Sequence, residues 1–179
     1  MMPPYTPEAA ALSTGLLLGR LILGLLMAAH GAQKLFGWFG GHGLAGTGGF
    51  FESLGFRPGH LFATAAALGE VASGLLVALG LFGPVGPAIM LALMIVAAIS
   101  VHWQNGLFAT SNGIELPLLY ATGAAALALI GPGRYSLDAL LGLTRIWTPA
   151  VTWGALVVGI VGGVVNLALR RPAPRAPSV

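Results

Sequence analysis

Apolar residues fall along this chain in five long, nearly uninterrupted stretches, without the alternation of a half-buried strand or the one-sided stripe of a surface helix. They run from about Ala9 to Ala29, Leu61 to Phe82, Pro84 to Trp103, Ile114 to Ile130 and Pro149 to Leu169. About 20 apolar residues, near 30 Å of helix, cross the hydrocarbon of a bilayer, so each stretch predicts a transmembrane helix and the fold class is all-α membrane protein. Pro84, Pro87 and Pro149 sit at or near helix starts, where a missing N–H costs little. The run Asn112, Gly113, Ile114, Glu115 has the spacing of a capping box opening the fourth helix.

The connections sort the spans further. Little more than Gly83 joins the second and third, which must form an antiparallel hairpin. The segment 31–60 is rich in glycine, Phe and Trp and lacks helical periodicity. It predicts an interfacial or re-entrant loop folded against the bundle. After the fourth span, GPGRYSLDALLGLTR reads as a break followed by a short interfacial helix starting at Ser136. Residues 170–179 are Pro-rich and basic and read as a disordered tail. The pairs Gly15/Gly19 and Gly159/Gly163 give small faces for close helix approach within the bundle, with a homo-oligomer face as the alternative.

Composition agrees with the membrane assignment. Of 179 residues, 56% are hydrophobic and 7% charged, too few charges for the polar shell of a soluble domain. The net charge is +3, but no basic run precedes the tail, which argues against a nucleic-acid partner. There is no cysteine, so disulfides, thiolate metal sites and CxxC redox chemistry within the chain are excluded. No Lys or Arg precedes the first apolar run, which is therefore not read as a cleaved signal. With five spans, Lys34, Arg57, Arg170, Arg171 and Arg175 share one side against Arg134 and Arg145, favouring an N-out, C-in orientation.

Chemistry is confined to a few positions. Arg20 and Glu70 lie inside spans one and two, where a lone charge is costly and calls for a partner. With the membrane face set at His30 and His60, both sit ten residues deep, about 15 Å. Equal depth proposes an Arg20–Glu70 ion pair, acting either as a structural staple or as a ligand or proton site, with no contact between the two as the remaining alternative. The same face gathers His30, Gln33, Lys34, His42, His60, His102, Gln104, Asn112 and Glu115. For His30 and His102 the readings are interfacial hydrogen bonding, a quinone carbonyl contact or proton relay, and a haem or metal held between helices; no metal site is assigned. Lys34 reads as an interface snorkeller or an anion-binding group, Glu115 as the cap carboxylate, and His42 is given no role. Phe36, Trp38, Phe39, Phe50, Phe51 and Phe56 form either an interfacial belt or a lid over a pocket for a flat lipophilic ligand.

These words, in this order, resemble the DoxX family of bacterial inner-membrane proteins: LGRLILGLLMAAHGAQKLFGWFGG, FFESLGF, LGEVASGLLVALGLF, a third span ending near VHW, then GIELPLLY and GPGRYSLD. The resemblance covers roughly Leu12 to Leu143, and Arg20, His30, Gly31, Lys34, Glu70, Glu115, Gly131, Gly133, Arg134, Ser136 and Asp138 match the family's recurrent words. It implies a four-helix transmembrane bundle over 9–143 with an additional C-terminal transmembrane helix over 149–169. It also implies redox tasks, since one branch of the family resembles a subunit of a thiosulfate:quinone oxidoreductase and others associate with superoxide dismutase and a sulfurtransferase. The expectation is a multi-pass inner-membrane protein serving a redox or detoxification system and binding a quinone-like cofactor. Its ligand residues would be Arg20, His30, Lys34, Glu70, His102 and Glu115, with Arg20 and Glu70 as catalytic candidates. Such a protein would have the lipid bilayer and soluble redox enzymes as partners. A non-catalytic scaffold for such enzymes is the first alternative and a small-solute transporter the second.

Overall fold

A computed structural model describes residues 6–171. The predicted basic tail from residue 172 onward lies outside the described residues. Within them the chain is helical and holds no strand. Its helices are α1 (Pro7–Phe36), α2 (Gly43–Ser53), α3 (Gly59–Leu79), α4 (Val85–Ala97), α5 (Glu115–Ile130), the short α6 (Leu137–Leu140) and α7 (Pro149–Ala168).

Local chemistry sets the ends. Thr6 accepts from the Ala9 amide and Thr148 from that of Val151, and each precedes a proline at the first helical position. Four helices are long and apolar enough to cross a membrane: α1, α3, α4 with its continuation to Asn105, and α7. The count of five full spans is not confirmed at the fourth, where the apolar α5 has 16 residues, about 24 Å of helix against about 30 Å of hydrocarbon. The predicted capping box is also absent. Asn112 adopts a left-handed turn, and Glu115 is instead the first helical residue, its Oε2 accepting from the Ala109 amide at 2.7 Å.

The larger correction concerns α1. It does not stop near Ala29 but continues through the first six residues of the supposed loop to Phe36. Nothing between His30 and Phe36 breaks a helix, because Gln33 and Lys34 are good helix formers wherever their heads can reach a polar environment. The stop is Gly37, whose left-handed backbone (φ 73) returns its N–H to the Gln33 carbonyl. The remainder of the loop holds a single 3-10 turn and α2, which packs on α3 and α1.

The longest helix pairing is α1 against antiparallel α3. Gly24 meets Gly74 and Ala78, and Gly31 meets Ala67 and Val71, so backbones touch along a stripe of small residues. A Cβ added at Gly31 would come within 2.6 Å of Val71 Cγ2 and 2.7 Å of the Ala67 carbonyl oxygen. Gly31→Ala is therefore expected to cost about 1–3 kcal/mol, the usual range for overpacking. Gly15→Ala should be neutral, because neither Gly15 nor Gly19 has any atom within 4 Å of such a Cβ. Unfolding midpoints in mixed micelles check both. The predicted small face at Gly15 and Gly19 is thus not used for packing, since α1 there has run past the end of α3. That at Gly159 and Gly163 is used, closing against Ala88 and Ala92 of α4.

Helix α7 is an integral wall of the bundle. Its end ties down α2: the Arg171 amide donates to the Gly55 carbonyl at 2.8 Å, Arg170 Nε to that of Leu54 at 2.9 Å, and the Arg170 guanidinium lies 5.6 Å from the centre of the buried Phe56 ring.

Candidate functional site

The α1–α3 register decides where the intramembrane charges fall. Because Gly31 faces Ala67 and Gly24 faces Ala78, Glu70 lies level with His30, one turn before Lys34, while Arg20 lies level with Gly80. Gly80 and Glu70 are ten residues apart on one helix, about 15 Å of rise. The expected Arg20–Glu70 ion pair does not form. Glu70 Oε1 instead pairs with Lys34 Nζ. Arg20 donates through Nη2 to the Tyr135 carbonyl and has the Asp138 carboxylate as its opposing charge. Depth counted from His30 misplaces the charges because His30 lies six residues short of the helix end.

The Lys34–Glu70 pair lies on a half-open cavity of about 300 Å³ lined by α1, α2, α3, α4 and α7. Phe50 and Phe51 of α2 and Phe62 of α3 form its aromatic wall, and small residues such as Ala65, Ala66 and Gly163 make room for it. Of the aromatic residues predicted as belt or lid, Phe50 and Phe51 line the cavity. Phe56 is fully buried behind Phe51, with ring centres 5.7 Å apart. Phe36, Trp38 and Phe39 are exposed, as a membrane-interface belt requires.

At the far end of α4 the helix widens into a π-helical turn over Ala98–His102, a local irregularity often found at functional sites. This turn brings Ser100 and His102 to the cavity, and Asn166 of α7 completes the polar lining. Sequence reasoning had no signal for Ser100 or Asn166, which are single polar residues in apolar helices. His102 Nδ1 donates to the Asn112 carbonyl at 2.7 Å, which leaves Nε2 as the acceptor nitrogen of the ring. Glu70 is 5% exposed, and its Oε2 has no hydrogen-bond partner. The cavity wall thus carries the Lys34 ammonium, the Glu70 carboxylate, the His102 imidazole and the Asn166 carboxamide in an apolar, aromatic surround.

Three expected ligand residues lie elsewhere. His30 donates from Nδ1 to Gln33 Oε1 at 3.1 Å and stands edge-on to the Tyr120 ring at 5.9 Å, outside the cavity lining. Glu115 is engaged with the Ala109 amide. Among the described residues, no group of three or more His, Asp or Glu side chains is placed to hold a metal ion.

Arg20 belongs to a second polar cluster at the opposite end of the bundle. Asp138, fully buried, accepts from the amides of Phe82 (2.8 Å) and Gly83 (2.6 Å) in the α3–α4 turn and from Trp147 Nε1 (2.7 Å). Its own amide donates to the Gly80 carbonyl at 3.0 Å. Ser136 caps α6, as predicted, by accepting from the Ala139 amide. Gly80 has φ 63, and a Cβ there would overlap Arg20 Nη1, so this turn closes over the guanidinium only as glycine. The α3–α4 turn ends well short of the first residues of α1, and Asp138 supplies the acceptors its amides would otherwise lack in an apolar setting.

No curated protein and no solved structure matches the chain. The family described as DoxX matches residues 15–103, ending at Trp103 before α5, so that GIELPLLY and GPGRYSLD fall beyond the match. That segment carries Lys34, Glu70, the aromatic wall and the π-helical turn with His102, and together with the four apolar membrane-length helices it establishes that this multi-pass membrane protein belongs to the DoxX family.

Proposed function

We propose that the protein is a subunit of a redox or detoxification system of the bacterial inner membrane, and that it binds a flat, quinone-like molecule in the cavity beside Lys34 and Glu70. The observation that carries this reading is an ion pair on the wall of an aromatic-lined cavity within the bundle, with one carboxylate oxygen unpartnered. Apolar walls with a few converging polar groups suit a lipid-soluble ring bearing polar oxygens. Lys34 would hold a ring oxygen, Phe50 and Phe51 would stack against the ring, and His102 would connect it to the polar end of the bundle. No cysteine is available, so electrons would reach or leave the ligand through a soluble redox partner. Arg20 drops out of the ligand set and becomes a structural group of the opposite cluster.

The test is equilibrium binding of a short-chain ubiquinone analogue to the purified protein in lipid nanodiscs, against empty discs. Saturable binding near one molecule per chain is expected. Truncating Phe50 and Phe51 together to alanine should weaken it about tenfold, the equivalent of about 1.4 kcal/mol. Uptake indistinguishable from that of empty discs would reject the reading and favour a scaffold that recruits enzymes without binding a ring.

A further inference from the structure

The polarity of the cavity wall says more about its occupant than its shape does. Glu70 Oε1 is taken by Lys34, while Oε2 is buried and accepts from nothing. The neighbouring hydroxyls do not reach it. Ser73 Oγ donates to the Glu70 main-chain carbonyl at 3.3 Å, and Tyr120, close enough to feel the charge of Glu70, makes no hydrogen bond to Oε2. In the neutral ring of His102, Nε2 is a second acceptor, since the Nδ1–H is committed to the Asn112 carbonyl. Both groups line the same cavity.

A carboxylate oxygen and an imidazole acceptor set lone pairs against any ligand oxygen that can only accept, such as those of an oxidised quinone, a ketone or an ester. A hydroxyl on the ligand turns that repulsion into a charge-assisted hydrogen bond and supplies a donor to the buried carboxylate oxygen that the fold leaves unpartnered. Lys34 does not discriminate, because a carbonyl and a hydroxyl oxygen both accept from an ammonium group.

We infer that the cavity recognises its ligand through a hydroxyl donated to Glu70 Oε2, and so prefers the reduced, dihydroxy form of a quinone-type ring to the oxidised, dicarbonyl form. This rests on the proposed reading of the cavity as a quinone-type site. It adds the redox state of the ligand that the resting site holds, and it identifies Glu70 as the residue that sets it.

The experiment compares three ligands on the wild-type protein in nanodiscs under anaerobic conditions: a short-chain ubiquinone analogue, its chemically reduced quinol, and the dimethyl ether of that quinol. The ether keeps the ring and oxygens but has no donor. The quinol is expected to bind about tenfold tighter than either of the others. In Glu70→Gln the carboxamide offers a donor as well as an acceptor, and the preference should fall below about threefold while the protein stays monodisperse. Equal affinity of wild type for quinol and quinone, or of quinol and ether, overturns the inference and leaves the cavity reading standing, as it would if a water molecule satisfied Oε2. Tighter binding of the quinone also overturns it. Saturable binding of none of the three overturns the cavity reading and the inference together. If Glu70→Gln does not fold, the three-ligand comparison on wild type still decides.

Discussion

Asp138→Ala is expected to cost the protein about 3–5 kcal/mol, enough to remove much of the folded population, although Asp138 lies outside both the ligand cavity and the segment matched to the family. The loss combines two effects. Arg20, 2% exposed, would keep a buried guanidinium with no opposing carboxylate, and its Nε and Nη1 already lack partners. The amides of Phe82 and Gly83 and the Trp147 indole would lose their acceptor at one stroke. Asp138→Asn separates the two, since it keeps one acceptor oxygen but turns an N–H toward a donor and removes the charge. It should be nearly as damaging. Trp147→Phe, which deletes a single hydrogen bond of the cluster and little volume, should cost about 1 kcal/mol. SDS-titration unfolding in dodecylmaltoside micelles ranks the three. A loss below about 1 kcal/mol for Asp138→Ala would mean that the turn amides find other acceptors and that Asp138 does not hold the α3–α4 turn in place.

This cluster also marks the limit of what the sequence makes legible. Long apolar runs give α3, α4 and α7 to within a few residues, because a helix that must satisfy its own backbone in lipid has little freedom to end early. The end of α1 is not legible in that way. Hydropathy falls at His30, but the helix continues until a residue forces a stop, and that residue is Gly37. The six-residue error makes up much of the ten-residue shift that moves Arg20 from the level of Glu70 to that of Gly80, and with it goes the inference that these two charges share a depth. The aromatic wall is foreseeable because Phe50 and Phe51 are too apolar for a solvated loop. The role of Asp138 is not foreseeable, because its main partners are backbone amides 55 and 56 positions away. Side-chain patterns encode main-chain donors only within the same turn, as at Ser136, and not at this sequence separation. Glu70 sits between these cases: a charge inside an apolar run announces the need for a partner, but only the register names Lys34.

A double-mutant cycle on the two competing pairings should return a coupling of about 2–4 kcal/mol for Lys34 and Glu70, and additivity within about 0.5 kcal/mol for Arg20 and Glu70. Lys34→Met alone strands a carboxylate that is almost wholly buried. Broken buried pairs cost about 3–5 kcal/mol, and because the Lys34 side chain remains 27% exposed the loss is discounted here to about 2–4 kcal/mol. Glu70→Met alone costs less, since the partly exposed ammonium can turn toward the polar end of the bundle. The double variant Lys34→Met/Glu70→Met should then recover most of the Lys34→Met loss, as buried pairs replaced together by apolar residues commonly do. Arg20→Met acts on the distant Asp138 cluster, so its cost should be the same whether position 70 is Glu or Met. Coupling between Arg20 and Glu70 above about 1 kcal/mol, with none between Lys34 and Glu70, would reverse the register of α1 on α3 and move the charges of the site to a different depth in the membrane.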